Sequence, residues 1–272
     1  MRYSSMSLGR TQMNEGFDEN ARFEWLLHHG FDAIDDAHAT KRRPLTKSQR
    51  AYASLRRAIV THGLPSGIPL DEGMLLDRIP YGRTPLREAL KQLSFEGLLV
   101  WSPRQAPAIR DIALHEIRHL YEMREFIEPQ AAGLAAERAT EDDKASMQAL
   151  RDELVAVTSQ GKVYEAVELD YALHASIARA TQNRFLEEAS VTLNRQSLRL
   201  WYRAQRAIGV ENIHRSHSEL VEAICTGDHK RAKALAVRHI ETSRERQWAV
   251  VEGRRRTEPK SPDDRSDTSN SE

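Results

Sequence analysis

The sequence has one cysteine, few aromatic residues and no long apolar run. With Cys225 alone the 272-residue chain cannot form an internal disulfide, which favours a reducing cytoplasm. No stretch approaches the ~20 consecutive apolar residues of a membrane-spanning helix, and the N-terminus lacks the basic-then-apolar order of a secretory signal. Hydrophobic residues make up 40% of the chain and charged residues 29%, which is typical of a protein with a buried core. We therefore expect a cytoplasmic protein of one or two domains that does not enter the membrane.

The charge of the chain is zero overall, but it is not evenly distributed. Residues 41–110 hold 13 lysines and arginines against 5 acidic residues, a net charge of +8. Residues 1–40 and residues 111–252 each carry a net charge of −4. A basic segment beside a more acidic one is typical of a module that binds a polyanion joined to a module that does not. A basic surface that is merely solvated is the alternative, and the size of the charge disfavours it.

The basic segment is patterned as three helices followed by a hairpin. Thr46 can cap a first helix that runs to about His62. The other predicted elements are a short helix from Glu72 to Arg78, a helix from Thr84 to Glu96, strands Leu98 to Trp101 and Ala108–Ile109, and a turn over Ser102 to Gln105. Gly97 occupies the position where glycine commonly ends a helix. The pattern predicts a winged helix-turn-helix over residues 45–110.

The third helix of this unit begins with two arginines and a threonine. Its buried stripe consists of Leu86, Ala89, Leu90 and Leu93. Arg83, Thr84 and Arg87 lie near the N-terminus and point away from that stripe. Such side chains at a helix N-terminus are what a recognition helix presents to the major groove of double-stranded DNA. The alternative is an exposed helix start with ordinary surface charges.

No strand pattern is found from Ile112 to Val251, and six helical stretches fit that region. They are 113–138, 140–159, 162–180, 182–207, 211–226 and 228–251. Each break between them offers a capping residue or a glycine. Helices of this length can enclose their own core, which predicts an all-α antiparallel six-helix bundle over residues 111–252. The fold class is therefore mainly α, with the winged helix-turn-helix ahead of the bundle.

The two ends of the chain differ from these units. Residues 1–44 form an N-terminal extension that is polar at first and then holds one short amphipathic piece, Phe23 to Ile34. Residues 253–272 contain arginine, serine, aspartate and proline but no apolar residue, so we expect this tail to be disordered.

Four residues of the bundle carry the pattern of a metal site. Asp170 and His174 are four residues apart and share one helix face. His217 and His239 each lie on an apolar stripe of a later helix, so all four side chains are expected to point inward. Burying such groups is unfavourable unless they satisfy one another, and a divalent ion does so directly. Imidazole and carboxylate ligands suit zinc, with nickel, manganese or iron also possible. The alternative is four separate hydrogen-bonded core residues.

Five other histidines of the chain are interpreted as surface residues. They are His115 and His119, which have the same spacing as Asp170 and His174, together with His214, His28 and His29.

One arginine of the bundle is placed to bind an anionic ligand beside the metal. Arg124 lies in the middle of the first bundle helix, where it could clamp a carboxylate with two hydrogen bonds. The alternative is an internal helix pair with Glu128. Arg195 and Arg199 on the fourth bundle helix are weaker candidates for the same role.

Residues 45–250 resemble a GntR-type transcription regulator of the FadR group with an FCD effector domain. The resemblance rests on three runs of the basic unit and on six bundle residues. The runs are Leu55-Arg56-Arg57-Ala58-Ile59, Arg83-Thr84-Pro85-Leu86-Arg87-Glu88-Ala89-Leu90 and Leu93-Ser94-Phe95-Glu96-Gly97-Leu98, and the bundle residues are Arg124, Glu128, Asp170, His174, His217 and His239. Six bundle helices rather than seven resemble the VanR branch.

The resemblance implies a homodimer that binds a palindromic operator in double-stranded DNA. It implies that Arg83, Thr84 and Arg87 contact bases and phosphates, and we expect Arg56 and Arg104 to add DNA contacts. It also implies that a small organic-acid effector binds at or beside the metal held by the four bundle residues and alters the affinity for DNA.

Two other functions fit parts of the sequence. The Asp/His site could activate water in a metal-dependent enzyme, but the sequence offers no obvious general acid or base beside the site, and the basic unit would then have no role. An architectural DNA binder with a purely structural bundle and no effector is the second alternative.

Overall fold

The computed structural model describes residues 45–102, 104–210 and 213–257. The first unit within these ranges consists of three helices followed by a small hairpin, as predicted for a winged helix-turn-helix. Its elements are α1 (Lys47–Val60), α2 (Glu72–Arg78), α3 (Arg83–Phe95), β1 (Leu99–Val100) and β2 (Ala108–Ile109). The two strands are antiparallel, with Leu99 opposite Ile109 and Val100 opposite Ala108.

Local sequence signals explain where the helices of this unit begin. Thr46 and Gln49 form a capping box at the start of α1, in which each side chain bonds the backbone N–H of the other residue. Gly82 precedes α3 with a φ of +97°, a conformation that favours glycine. The helix then begins at Arg83, one residue before the predicted start.

The buried stripe of α3 packs into the core of the first unit. Leu86, Leu90 and Leu93 are fully buried there together with Leu55 and Ile59 of α1. The opposite face of α3 is left to solvent, which positions its polar N-terminal side chains on the surface.

The second unit is a bundle of six helices. They are α4 (Leu114–Arg138), α5 (Glu141–Ser159), α6 (Val163–Ala180), α7 (Arg184–Ile208), α8 (Ile213–Cys225) and α9 (His229–Thr257). Their ends agree with the predicted ends to within two residues, except at the C-terminus of α9. Within the described ranges, no helix is long and apolar enough to cross a membrane.

The tail prediction is wrong at its start, because α9 continues to Thr257. Residues 254–256 are arginines, which are good helix formers, and extending a helix that has already formed is far easier than starting one. An absence of apolar residues was therefore not enough to end α9 at residue 252. The rest of the tail (258–272) lies outside the described residues, as do the extension 1–44 and its short amphipathic piece.

Helix α6 is the central element of the bundle and is buried on nearly every side. Leu169, Ala172 and Leu173 pack into the main bundle core. Tyr164 and Tyr171 lie on another side of the helix, in a separate apolar cluster that includes Val60 of α1 and Trp201 of α7. One helix therefore contributes both to the interior of the bundle and to the contact between the two units.

A polar network reinforces that contact between the units. The guanidinium of Arg56 in α1 forms a buried salt bridge with Glu168 in α6. The hydroxyl of Tyr52 donates to Glu96 at 2.7 Å, and Arg195 Nε of α7 lies 3.8 Å from the same carboxylate.

Two predicted site residues therefore belong to the contact between units. Arg56 is only 3% exposed, so its interpretation as a DNA contact is wrong. Its neighbour Arg57 is the more exposed of the pair. Arg195 lies beside Glu96 of the first unit and lines neither of the two cavities next to Asp170 and His174, contrary to its predicted role as an effector ligand.

Candidate functional site

The four predicted metal ligands come together inside the bundle. Asp170, His174, His217 and His239 each offer one ligand atom, and these atoms all lie within 4.8 Å of one another. Asp170 Oδ1 is 2.7 Å from His217 Nε2 and 3.4 Å from His174 Nε2. The first three residues are buried and His239 is half-buried.

Helical periodicity explains the convergence. The four-residue spacing of Asp170 and His174 places both on one face of α6. His217 lies three and four residues before the buried Leu220 and Val221 of α8, so the three side chains share one helix face and the imidazole points to the same interior. His239 follows the buried Ala236 of α9 in the same way.

The electrostatics favour the cation-binding form of two members of the cluster, Asp170 and His239. Burial alone would raise the pKa of the Asp170 carboxyl, but His217 and His174 outweigh burial and hold that pKa well below its usual value. Burial and the neighbouring imidazoles push the pKa of His239 well below its usual value. A carboxylate and a neutral imidazole therefore lie side by side, and these are the protonation states that coordinate a metal.

A second layer of side chains orients the histidines. Glu128 Oε2 of α4 lies 2.8 Å from His174 Nδ1, which leaves Nε2 facing Asp170. Arg124 Nε donates to Glu128 Oε1 at 2.6 Å. On the other side of the cluster, Ser216 Oγ lies 3.1 Å from His239 Nδ1. Partners of this kind fix the ring orientation and tautomer of metal-binding histidines.

Charge keeps Glu128 ionised in this second layer. Burial opposes ionisation, but Arg124 and His174 outweigh it and lower the pKa of Glu128 to about 2. Burial would likewise lower the pKa of His174, but Glu128 and Asp170 raise it to about 9. His174 is therefore protonated next to these two carboxylates, and it would have to release a proton to bind a metal through Nε2. Glu128 was considered in the sequence only as a helix partner of Arg124. Its contact with His174 joins two different helices, so the spacing of residues along the sequence cannot predict it.

The cluster fits a divalent metal ion. Asp170 Oδ1 and His174 Nε2 are buried atoms that make no hydrogen bond of good geometry within the described part of the chain. Three imidazoles and one carboxylate form a donor set that zinc and other divalent transition metals accept. A single ion would satisfy these atoms together.

Two cavities flank the cluster. The larger, with an open volume of about 390 Å³, is bounded by α6, α7, α8 and α9 and is reached by Asp170, His217 and His239. The smaller, of about 270 Å³, lies beside Glu128, His174 and His239. A ligand in either cavity would therefore lie against the cluster.

Arg124 does not line either of these cavities, contrary to its predicted role as a direct carboxylate clamp. Its side chain is 0% exposed and is paired with Glu128, which is the alternative interpretation of the sequence. The guanidinium carbon lies 5.0 Å from the ring centre of Tyr121 and 4.7 Å from that of Trp201. Arg199 is also placed elsewhere, since it donates to the carbonyl of Arg110 at 2.6 Å.

A different arginine, Arg246 of α9, lines the larger cavity. It was missed because it lies in a stretch of α9 rich in charged residues, where spacing does not single out one side chain.

The predicted DNA-binding side chains of α3 lie on the surface. Arg83 and Thr84 are exposed at the first turn. Arg87 is 61% exposed, and its Nε donates to Glu72 Oε1 of α2 at 3.0 Å. Arg104 is exposed in the turn between the strands and has a φ of +64°.

Two of the remaining histidines are on the surface as predicted. His115 and His119 are exposed and contact each other, with ring centres 5.9 Å apart. The side chain of His214 and the whole of His28 and His29 lie outside the described residues.

Comparison with known proteins gives a match for each unit. Residues 47–109 match the bacterial regulatory proteins of the gntR family, and residues 119–242 match the FCD domain. The chain is similar to the Nta operon transcriptional regulator of Aminobacter aminovorans, with 28% identity over 199 residues that cover 71% of this chain and 91% of that protein.

Other relatives are more distant. The transcriptional regulator LutR of Bacillus subtilis is 24% identical over 61% of this chain and 84% of its own length. The galactonate operon repressor of Escherichia coli is 22% identical over 74% of this chain and 97% of its own length. All three relatives are named as transcriptional regulators, which are not enzymes.

Solved structures support the fold. E. coli McbR/YncC superposes with a TM-score of 0.64 at 18% identity, covering 75% of this chain and 98% of that chain. A GntR regulator from Rhodococcus sp. RHA1 gives a TM-score of 0.58 at 19% identity, with coverage of 75% and 99%. The chain belongs to the gntR family of bacterial regulatory proteins and carries an FCD domain behind its helix-turn-helix domain.

Proposed function

We propose that this protein is a ligand-responsive transcription regulator that binds a palindromic operator as a homodimer in the cytoplasm. Residues 45–110 form its DNA-binding domain, and residues 111–257 form its effector domain. A small carboxylate metabolite binds at or beside a divalent metal in the bundle and changes the affinity for DNA.

The observation that carries the proposal is the position of α6. Asp170 and His174 of this helix belong to the buried cluster, while Glu168 of the same helix is paired with Arg56 of the DNA-binding unit. A ligand that displaces the cluster therefore acts on a helix that contacts the DNA-binding unit directly. The contact supplies a physical route from effector to operator.

Asp170, His174, His217 and His239 would hold the metal, for which zinc is the best fit and nickel, manganese and iron are also suitable. When bound, the ion would supply a coordination position for a carboxylate oxygen. Glu128 holds the imidazole of His174 in place, and Arg124 acts through Glu128. Arg246 lies on the larger cavity as a cation for the metabolite.

The test of this function begins with a search for operator and effector. Purified protein would select its site from a pool of random duplexes, and binding would then be measured by fluorescence anisotropy. A thermal-shift screen of small organic acids, run with and without zinc, would find the effector because binding stabilises the folded state by RT ln(1 + [L]/Kd). We expect an acid that stabilises the protein only with zinc and shifts operator affinity. A protein that selects no sequence, or whose affinity no stabilising acid changes, would contradict the proposal.

Replacing Arg87 by alanine is expected to weaken operator binding by about 1–3 kcal/mol if the side chain reads a guanine. Its ion pair with Glu72 is solvent-exposed and stabilises the protein by only about 0–1 kcal/mol, so DNA can replace Glu72 as the partner of Arg87. Glu72→Ala is the matched control, since it removes the same surface pair but keeps the arginine, and it should bind at least as tightly as the unmodified protein. Equal affinity of Arg87→Ala and the unmodified protein would exclude the recognition-helix assignment for this residue.

A further inference from the structure

The start of α4 carries a histidine motif that the proposed function does not use. Residues His115 to His119 spell H-E-I-R-H, which is the H-E-x-x-H pattern in which two histidines on one helix face bind a metal. Both rings are exposed, and their centres are 5.9 Å apart. The histidine rings of the buried cluster have centres between 4.4 and 5.5 Å apart. Because exposed side chains change rotamer freely, the surface pair can close this small difference around an ion.

Glu122 offers a third donor on the same face of α4. It lies three residues after His119 and seven after His115, so the three side chains form one exposed stripe along the helix. Side chains of a helix lean toward its N-terminus, which is the direction from Glu122 to the pair. Two imidazoles and a carboxylate suit zinc, nickel or copper. Magnesium and calcium prefer sites made of oxygen ligands alone.

The glutamate of the motif is already engaged in starting the helix. In hydrolases that carry this motif, the glutamate acts as a general base beside the metal. Here Glu116 Oε2 accepts from the backbone N–H of Ala113 at 3.0 Å, and Glu116 Oε1 accepts from Arg110 at 3.2 Å. These bonds hold the carboxylate against the residues that precede the helix. The motif is therefore suited to holding a metal and not to hydrolysing a peptide.

The histidine pair comes directly after the link between the two units. Residues 110–113 join β2 to α4, and Arg199 of α7 donates to the carbonyl of Arg110 at 2.6 Å. An ion held by His115 and His119 would tie the first turn of α4 to the second. Helix ends are among the places where local opening costs least free energy. A metal at this position would therefore stiffen the helix that follows the link.

We propose that His115 and His119, assisted by Glu122, form a second, surface-exposed site for a divalent transition metal, whose occupation stiffens the start of α4. This site goes beyond the proposed function and does not depend on the buried cluster. Few donors near the positive end of a helix bind an ion more weakly than the four that converge inside the bundle. At zinc concentrations that saturate the cluster the surface site stays largely empty, so replacing His119 leaves the zinc-induced shift of the cluster unchanged.

A chelated copper ion tests the surface site separately from the cluster. In the complex of Cu²⁺ with nitrilotriacetate, the chelator fills most coordination positions and leaves room for two imidazoles, and the complex is too bulky to enter the bundle. Zinc-loaded full-length protein would be titrated with this complex and followed by electron paramagnetic resonance. We expect binding with the hyperfine signature of two imidazole nitrogens. Copper that binds through a single imidazole, or does not bind, would overturn the proposal.

Substitutions identify the ligands of the copper complex. His115→Asn and His119→Asn should each lower its affinity at least about tenfold, because the remaining imidazole then binds alone. His229→Asn replaces an exposed histidine in the first turn of α9 and is the matched control, so it should keep the full affinity. His217→Ala should keep it as well. Full affinity in His115→Asn or His119→Asn, or its loss in His217→Ala, would place the metal elsewhere and overturn the proposal.

Hydrogen exchange tests the effect of the ion on α4. Once the cluster is loaded, additional zinc should slow amide exchange over residues 117–122 by at least about threefold, whereas magnesium should not. Glu122→Gln should need a higher zinc concentration for the same protection, and His119→Asn should show none. Exchange that zinc leaves unchanged, or slows equally in His119→Asn, would contradict the stiffening of the helix.

Discussion

Replacing Glu168 by alanine is expected to lower the free energy of unfolding by about 3–5 kcal/mol, because it leaves the charge of Arg56 buried without its carboxylate. Side-chain exposure is only 4% for Arg56 and 6% for Glu168. Burial would lower the pKa of the Arg56 guanidinium, but Glu168 outweighs burial and keeps that pKa well above its usual value. Urea unfolding followed by circular dichroism measures the loss.

A neighbouring ion pair provides the matched control. Glu165 lies one turn earlier on α6 and is 4.0 Å from Arg57, with side-chain exposures of 26% and 42%. Both pairs join the same two helices, but only one is buried. Because exposed ion pairs contribute about 0–1 kcal/mol, Glu165→Ala should change stability by less than 1 kcal/mol.

A paired replacement separates lost charge from lost packing. Arg56→Met combined with Glu168→Leu removes both charges and fills the space with apolar atoms, and such exchanges are often neutral or stabilising. We expect the double variant to unfold close to the unmodified protein. A loss equal to that of Glu168→Ala would mean that packing, not the unpaired charge, dominates, and a harmless Glu168→Ala would mean that the pair does not hold the two units together.

Most helix boundaries could be predicted because they depend on neighbours in sequence. Thr140 bonds the backbone of Asp143, and Asn183 accepts from two backbone N–H groups, so both residues start helices where the sequence predicts. The convergence of the metal cluster was also predictable, since Asp170 and His174 share a face by spacing alone and the two later histidines lie on apolar stripes.

The errors arose where contacts are distant in sequence. Spacing does not distinguish Arg56 from Arg57, although one is buried against the bundle and the other is exposed. Arg195 was assigned to the effector for the same reason, since its carboxylate neighbour is about a hundred residues earlier in the chain, at Glu96. The local sequence pattern identifies which side chains are buried, but it does not identify which of the two units they contact.

Replacing His217 by alanine is expected to lower zinc affinity at least about 100-fold, because the loss of even a second-layer partner lowers it about 10–100-fold. The His217 side chain is 0% exposed and lies 2.7 Å from Asp170, so no outside group can take its place. Zinc at about 100 times its Kd should stabilise the unmodified protein by about 2.7 kcal/mol. That is a rise in Tm of about 5–10 °C for a domain of this size, and His217→Ala should show almost none of it.

The zinc-induced shift, rather than the absolute Tm, is the quantity to compare, because His217→Ala also removes packing and a charge partner of Asp170. His119→Ala removes an exposed imidazole of the same type and should retain the full shift. Glu128→Gln keeps all four ligands but weakens the contact that orients His174, so its shift should fall between the two. Titration with zinc after dialysis against EDTA gives all three values. An equal shift in His217→Ala and His119→Ala would show that zinc binds elsewhere, whereas the graded order would place it on the cluster and assign Glu128 its orienting role.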